Sequence, residues 1–321
     1  EQNYLEAVLS LDSSLASIKR SLRKDSESEL FKKEDLGTTV YCLLPGRILA
    51  FNKATNCWIH AELTSINIPR SSLASRFNEG KSIEVCVSGG VAGDQVLDVL
   101  TLYTLKDLVS DNGGQDSFHM LQPRVHHSCH HIKNSLYIIG GETEKAKTGD
   151  PNTWKMTDCC ERFDLTSKTS TKISSMKIAR KWHSTCSIRD TYICAFGGFG
   201  PTEANSIEES GFSILSSIEI YDVEGDQWNL IEGAMPHPLC RTGAIYHKPT
   251  DSVMLVGGFN LDTTKKVNTL FSFSPVTHSF KEKQRAKIRN LALNKVTVVQ
   301  NKLTLFTEVR FKPDPASDER D

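Results

Sequence analysis

Six consecutive residues, His126-His127-Ser128-Cys129-His130-His131, concentrate the side chains that bind metals. Thiolates and imidazoles ligate zinc. In an extended strand, however, His127, Cys129 and His131 share one side, and the outer two stand about 13 Å apart. One ion with ligands at about 2 Å cannot span all three, and a His-x-His pair would need further ligands from elsewhere in the chain, so no metal is assigned. Cys159-Cys160 is adjacent and lacks the two-residue spacer of redox motifs. No Gly-x-Ser-x-Gly elbow, P-loop or His-Glu-x-x-His occurs. The reading is therefore non-enzymatic, with no catalytic residue and no cofactor. A metal-dependent enzyme is the least favoured alternative.

Binding chemistry is better represented. Arg124, Arg180 and Arg241 precede three glycines (Gly140, Gly197, Gly257) by 16, 17 and 16 residues. A guanidinium suits bidentate recognition of carboxylates, although a tie to a neighbouring strand's backbone or carboxylate would fit equally. Trp154 lies among polar residues in a long loop, where it would act as an exposed anchor or fold back on its own sheet. Lys281, Lys283, Arg285, Lys287 and Arg289 are basic at alternate positions, so an extended segment would project them to one side. Such a row could grip an acidic surface, or simply be a solvated edge.

The elements that must position these groups are strands. Four apolar runs end in Gly-Gly, at Gly90, Gly141, Gly198 and Gly258, spaced by 51, 57 and 60 residues. That period signals a repeat architecture. Downstream comes an aromatic followed by a small polar residue: Phe51-Asn52, Tyr103-Thr104, Phe163-Asp164, Tyr221-Asp222 and Phe273-Ser274. A second aromatic follows seven residues later in Phe51 to Trp58, Tyr221 to Trp228 and Phe273 to Phe280. Strand, tight polar turn and second strand is the physical reading. Two insertions, Glu142 to Cys160 and Phe199 to Ser217, follow Gly-Gly pairs and should fall on one face, often the binding face of a repeat array.

Arg-x-x-His, a strand ending in Gly-Gly, an aromatic-Asp turn and then Trp together resemble the kelch repeat, from about Thr38 to Phe311. The resemblance implies an all-β fold: a propeller of five or six four-stranded blades. It also implies that Arg124, Arg180 and Arg241 ring a channel mouth that binds acidic peptides. The function so implied is a protein–protein interaction scaffold or adaptor, cytoplasmic and of cytoskeletal or ciliary type. A substrate receptor of a cullin-type ubiquitin ligase is the alternative.

The ends read differently. Tyr4, Val8, Leu11, Leu15, Ile18 and Leu22 recur at heptad spacing, which predicts an amphipathic or coiled-coil helix and linker over residues 1–35. Such a helix could pair with a second copy or lean on the propeller, which is expected over residues 36–321. RILAFN and WIHAEL are expected to complete a blade begun by the C-terminal strands, leaving TTVYCLL over. The chain opens on Glu1 without a signal-peptide pattern and is read as part of a longer protein. A net charge of −1 gives no field that would call for nucleic acid or membrane, and no apolar stretch reaches spanning length. Nine cysteines, odd in number and mostly in strand-like runs, read as reduced thiols.

Overall fold

The computed structural model describes residues 5–10, 39–44, 47–52, 57–62, 72–78, 82–92, 95–105, 115–145, 154–201, 211–260, 269–285, 295–299 and 302–309. Its elements are almost all β-strands. Four sheets are four-stranded antiparallel meanders, each named here by its glycine pair. The Gly90 sheet runs Ser72–Asn78, Ser82–Ser88, Val99–Leu105, Gln115–His119. The Gly141 sheet runs Ser128–Ile132, Ser135–Ile139, Cys160–Asp164, Thr169–Ile173. The Gly198 sheet runs Ser184–Ile188, Tyr192–Phe196, Ile218–Asp222, Gln227–Ile231. The Gly258 sheet runs Gly243–His247, Ser252–Val256, Thr269–Phe273, Phe280–Arg285.

First strands of successive sheets lie side by side, from Ser72–Asn78 through Ser128–Ile132, Ser184–Ile188 and Gly243–His247 to Lys295–Val299. Between sheets the core is built from third- and fourth-strand rings. Phe163, Tyr221 and Phe273 are all essentially inaccessible, as is Trp228, whose indole N–H donates to the Ser174 carbonyl at 2.9 Å. Burying rings of this size contributes roughly 2–3 kcal/mol each.

The glycine pairs end the second strands in left-handed backbone, with φ of 96° at Gly141 and 98° at Gly198. A Cβ on Gly141 would meet the Val125 carbonyl at 2.6 Å, and one on Gly198 the Lys181 carbonyl at 2.7 Å. Both torsion and space therefore demand glycine.

Two sheets depart from the expectations above. Thr39–Leu44 is not left over: it pairs with Arg47–Asn52, which pairs with Cys57–Glu62, giving these segments a sheet of their own. Completing the C-terminal pair Lys295–Val299 and Lys302–Val309 falls instead to Leu5–Ser10, antiparallel to Lys302–Val309. A strand thus stands where part of the heptad seam predicted helix. An open strand edge offers hydrogen bonds that outweigh the weak preference of fewer than three heptads. The rest of the proposed helix and linker, residues 1–4 and 11–35, lies outside the described residues.

Valine at Gly141 or Gly198 should cost several kcal/mol, on the scale of backbone strain plus overpacking. Thermal denaturation of either variant should show a midpoint well below that of the wild type.

A candidate interaction face at the glycine-pair end

In three sheets the second glycine of the pair bonds the segment that leads into the next sheet. Gly90 N–H donates to the Arg124 carbonyl, Gly141 to Arg180 and Gly198 to Leu239, each at 2.9 Å. Arg124, Arg180 and Leu239 are therefore equivalent. Arg241 is equivalent to His126 and Trp182, two positions further on. Counting back from the glycines groups Arg241 with the other arginines because the first hairpin lengthens along the chain. Its turn grows from Lys133-Asn134 to the Lys248–Thr250 turn and Asp251 in the Gly258 sheet.

Arg124 and Arg180 are interior, 1% and 0% exposed. Arg124 bonds Glu161 at 2.8 Å and donates to the carbonyls of Gly140 and Cys159. Arg180 bonds Glu219 at 2.8 Å and donates to the carbonyls of Gly197 and Ser217. The far oxygen of Glu161 accepts from the Leu121 amide, and Glu219 accepts from the Lys177 and Ile178 amides. Each pair thus clamps a sheet to the segment leading into it. As partner contacts these two arginines are corrected, because their charge is spent inside the molecule. The signal missed was in the third strands: Glu-x-aromatic-Asp at Glu161 and Glu219, but Phe271-x-Phe-Ser in the Gly258 sheet, where the arginine is Leu239. Leu239 and Phe271 share a buried apolar cluster instead.

Beside the arginines His127 and His183 are buried, and their Nε2 atoms contact the hydroxyls of Ser88 at 2.8 Å and Ser128 at 3.1 Å. Burial first, and then the neighbouring arginine's charge, pushes His183 down to about 3 and holds His127 well below the ordinary imidazole range. Within the His126–His131 run, His127 is therefore a structural residue. Among the described residues no group of three or more His, Cys, Asp or Glu is placed to hold a metal.

Two positions beyond the arginine site the chain turns toward solvent. His126, Trp182 and Arg241 adopt left-handed φ of 56°, 52° and 54°. Trp182 N–H donates to the His126 carbonyl and Arg241 N–H to that of Trp182, forming a ladder across three sheets. The Arg241 guanidinium lies 4.4 Å from the Trp182 ring centroid, and Lys181 Nζ 4.5 Å from it. His126 meets the same ring edge-on at 5.3 Å. Lys181 and His126 share the carboxylate of Glu142, at 2.5 and 2.7 Å. Among the described residues Arg241 has no carboxylate partner.

The long insertions open on the same end as short hairpins. Glu142–Lys145 pairs with Trp154–Met156, placing Trp154 opposite Lys145 in the register. Phe199–Pro201 pairs with Phe212–Ile214, and Phe199 stacks on Phe212 and lies 6.2 Å from Trp182. Arg241 and Trp154 are thus carried at one end of the sheets.

The basic row fares differently. Phe280–Arg285 carries Lys281, Lys283 and Arg285, while Lys287 and Arg289 lie outside the described residues. A bulge shifts the register, so Lys281 stands opposite Ser272 but Arg285 opposite Thr269. Three steps on the partner strand reverse the face, so the alternation does not hold one side.

The kelch motif matches residues 123–177. Alpha-scruin of Limulus polyphemus is 27% identical over 191 residues, 58% of this chain and 19% of that protein. Beta-scruin of the same organism is 27% identical over 176 residues, 51% of this chain and 17% of that protein. Kelch-like protein 34 of Homo sapiens is 28% identical over 120 residues, 36% of this chain and 17% of that protein. The chain thus spans less than a fifth of the length of these curated relatives. The chain is β-sheet-rich, carries a kelch motif and is similar over part of its length to the scruins and a Kelch-like protein.

Replacing Arg180 by Leu strands a buried carboxylate at Glu219 and should cost about 3–5 kcal/mol. Adding Glu219→Phe, the pairing that Leu239 and Phe271 already use, should return at least half of that loss in urea denaturation. For His183 the unfolded chain takes up a proton near 6.5 and the folded chain only at about 3. The unfolded state therefore binds more protons between those values, and stability falls as pH drops through that window by about 1.4 kcal/mol per unit. The urea midpoint should slope less steeply with pH in His183→Asn.

Proposed function

We propose that this chain is a non-enzymatic protein-interaction module whose sheets are the blades of a kelch propeller, with the glycine-pair end docking a protein partner. The observation that carries the reading is the Arg241 guanidinium stacked on Trp182 without a carboxylate of its own. A stacked guanidinium keeps its in-plane N–H donors free for a bidentate acid. Lys181 adds positive charge on the same ring, so the partner segment is acidic. The Trp154 hairpin and the Phe199–Phe212 pair supply flanking surface. The likeness to scruins and a Kelch-like protein supports an interaction role over catalysis.

A reducing compartment suits the chain, since Cys86, Cys129, Cys159, Cys160, Cys186, Cys194 and Cys240 are free thiols and most are buried. No helix among the described residues is long and apolar enough to cross a membrane. Cytoplasmic residence, on a cytoskeletal or ciliary partner, is the location we assign to this reading.

A fluorescent Asp/Glu-rich decapeptide tests the face. Arg241→Ala should weaken its binding about thirtyfold, the loss typical of one desolvated anchor, and Trp154→Ala should weaken it too. Charge reversal at Lys283 and Arg285 should leave it intact. The opposite pattern would move the docking surface to the basic outer strand and overturn the assignment.

A further inference from the structure

Three successive sheet faces are covered in the same way, by rings from the sheet that follows. Phe163 packs with Cys86 and Leu100 of the Gly90 sheet. Tyr221 and Trp228 pack with Tyr137 and Cys160 of the Gly141 sheet. Phe273 and Phe280 pack with Phe196 and Cys194 of the Gly198 sheet. The Gly258 sheet is followed by the sheet of Lys295–Val299 and Lys302–Val309. The third strand there, Leu5–Ser10, contains no aromatic residue, and among the described residues no fourth strand accompanies it.

On that face of the Gly258 sheet lies a cavity of about 460 Å³ lined by Met254, Leu270, Ser272, Ser274, Ser279 and Lys281. The register sets Met254, Ser272 and Lys281 side by side across three strands. The volume lies within the roughly 300–1,000 Å³ of small-molecule sites. Met254 and Leu270 offer an apolar, sulfur-bearing floor of the kind that receives a ring. Ser272 and Ser274 offer hydroxyl donors, the latter while accepting from the Thr277 amide, whereas the Ser279 hydroxyl is bonded to that of Thr277. Lys281 is an exposed cation with no ion pair among the described residues. The carboxylate at the rim, Asp251, is already taken by Arg189 and by the Tyr246 hydroxyl. Glu282 sits opposite Phe271 in the register, on the other face.

We infer that this cavity binds an aryl anion, an aromatic ring bearing a phosphate or carboxylate, with the ring on Met254 and Leu270 and the anion at Lys281 and the serine hydroxyls. The ring takes the place that Phe163, Tyr221 and Phe273 fill at the other faces. The site is separate from the glycine-pair end, because Ser274, Ser279 and Lys281 flank the turn at the opposite end of the third strand.

Saturation-transfer NMR with phenyl phosphate tests it, using phenol and inorganic phosphate as controls. Phenyl phosphate should bind more tightly than either control, and Lys281→Met should weaken it roughly tenfold or more while leaving phenol unchanged. Ser272→Ile places in the cavity the residue that Ile220 supplies at the equivalent point of the Gly198 sheet. It should abolish binding of both ring compounds without lowering the melting temperature. A phosphotyrosyl tripeptide binding as tightly as phenyl phosphate assigns the anion to a partner's side chain, and weaker binding assigns it to a free small molecule. Inorganic phosphate binding as well as phenyl phosphate, or full phenyl phosphate binding in Ser272→Ile, would overturn the proposal.

Discussion

Successive sheets are held at a spacing that only a residue without a Cβ permits. The second glycine of each pair donates its N–H to the segment that leads into the next sheet, at Arg124, Arg180 and Leu239. A Cβ on the first glycine would run into the same carbonyls, that of Arg124 from Gly89, that of Arg180 at 2.8 Å from Gly140 and that of Leu239 from Gly197. Everything else in the repeat follows from it. The lead-in segment is drawn across the end of the sheet before it, which fixes where the first strand of the next sheet begins. The ladder from His126 through Trp182 to Arg241 is then set at the same depth in three sheets.

The buried arginines secure that crossing from the other side. A guanidinium has five donors, and the terminal nitrogens of Arg124 and Arg180 reach two carbonyls and a carboxylate apiece, with the Ser217 hydroxyl in addition at Arg180. The carboxylate in turn accepts amide protons from the lead-in segment. A buried ion pair is costly to desolvate, and an apolar pair of similar size often holds as well. The Gly258 sheet shows the exchange inside one molecule, with Leu239 and Phe271 where its neighbours carry Arg and Glu. The ionic version adds orientation, since a guanidinium fork accepts few geometries. The apolar version adds none, and it coincides with the sheet whose far face holds the open cavity.

Strands and their order were legible in the sequence because their signals are local. Gly-Gly marks a left-handed end, aromatic-Asp marks a turn, and a ring seven residues on marks the fourth strand, as Tyr221 and Trp228 illustrate. Site residues were less legible because they depend on register between sheets. Arg241 was grouped with Arg124 and Arg180 by distance along the chain, and a lengthened turn at Lys248–Thr250 shifted it by two positions. Trp182 carried no signal at all, since its role comes from neighbours on two other sheets. The heptad seam was real as a pattern, yet at Leu5–Ser10 period seven lost to an edge strand seeking a partner.

The left-handed rung explains how a surface of this kind can vary without disturbing the fold. A non-glycine residue at positive φ costs about 1 kcal/mol or more, and it persists only where surrounding bonds dictate it. At His126, Trp182 and Arg241 the ladder itself is made by backbone atoms, whichever side chain stands there. The buried ion pairs lie at the arginine site two positions earlier, and the rung carries different side chains from sheet to sheet. Imidazole, indole and guanidinium already share it across three neighbouring sheets. Contacts among the three, with His126 edge-on to the Trp182 ring and the Arg241 guanidinium over it, then hold side chains that the backbone leaves open.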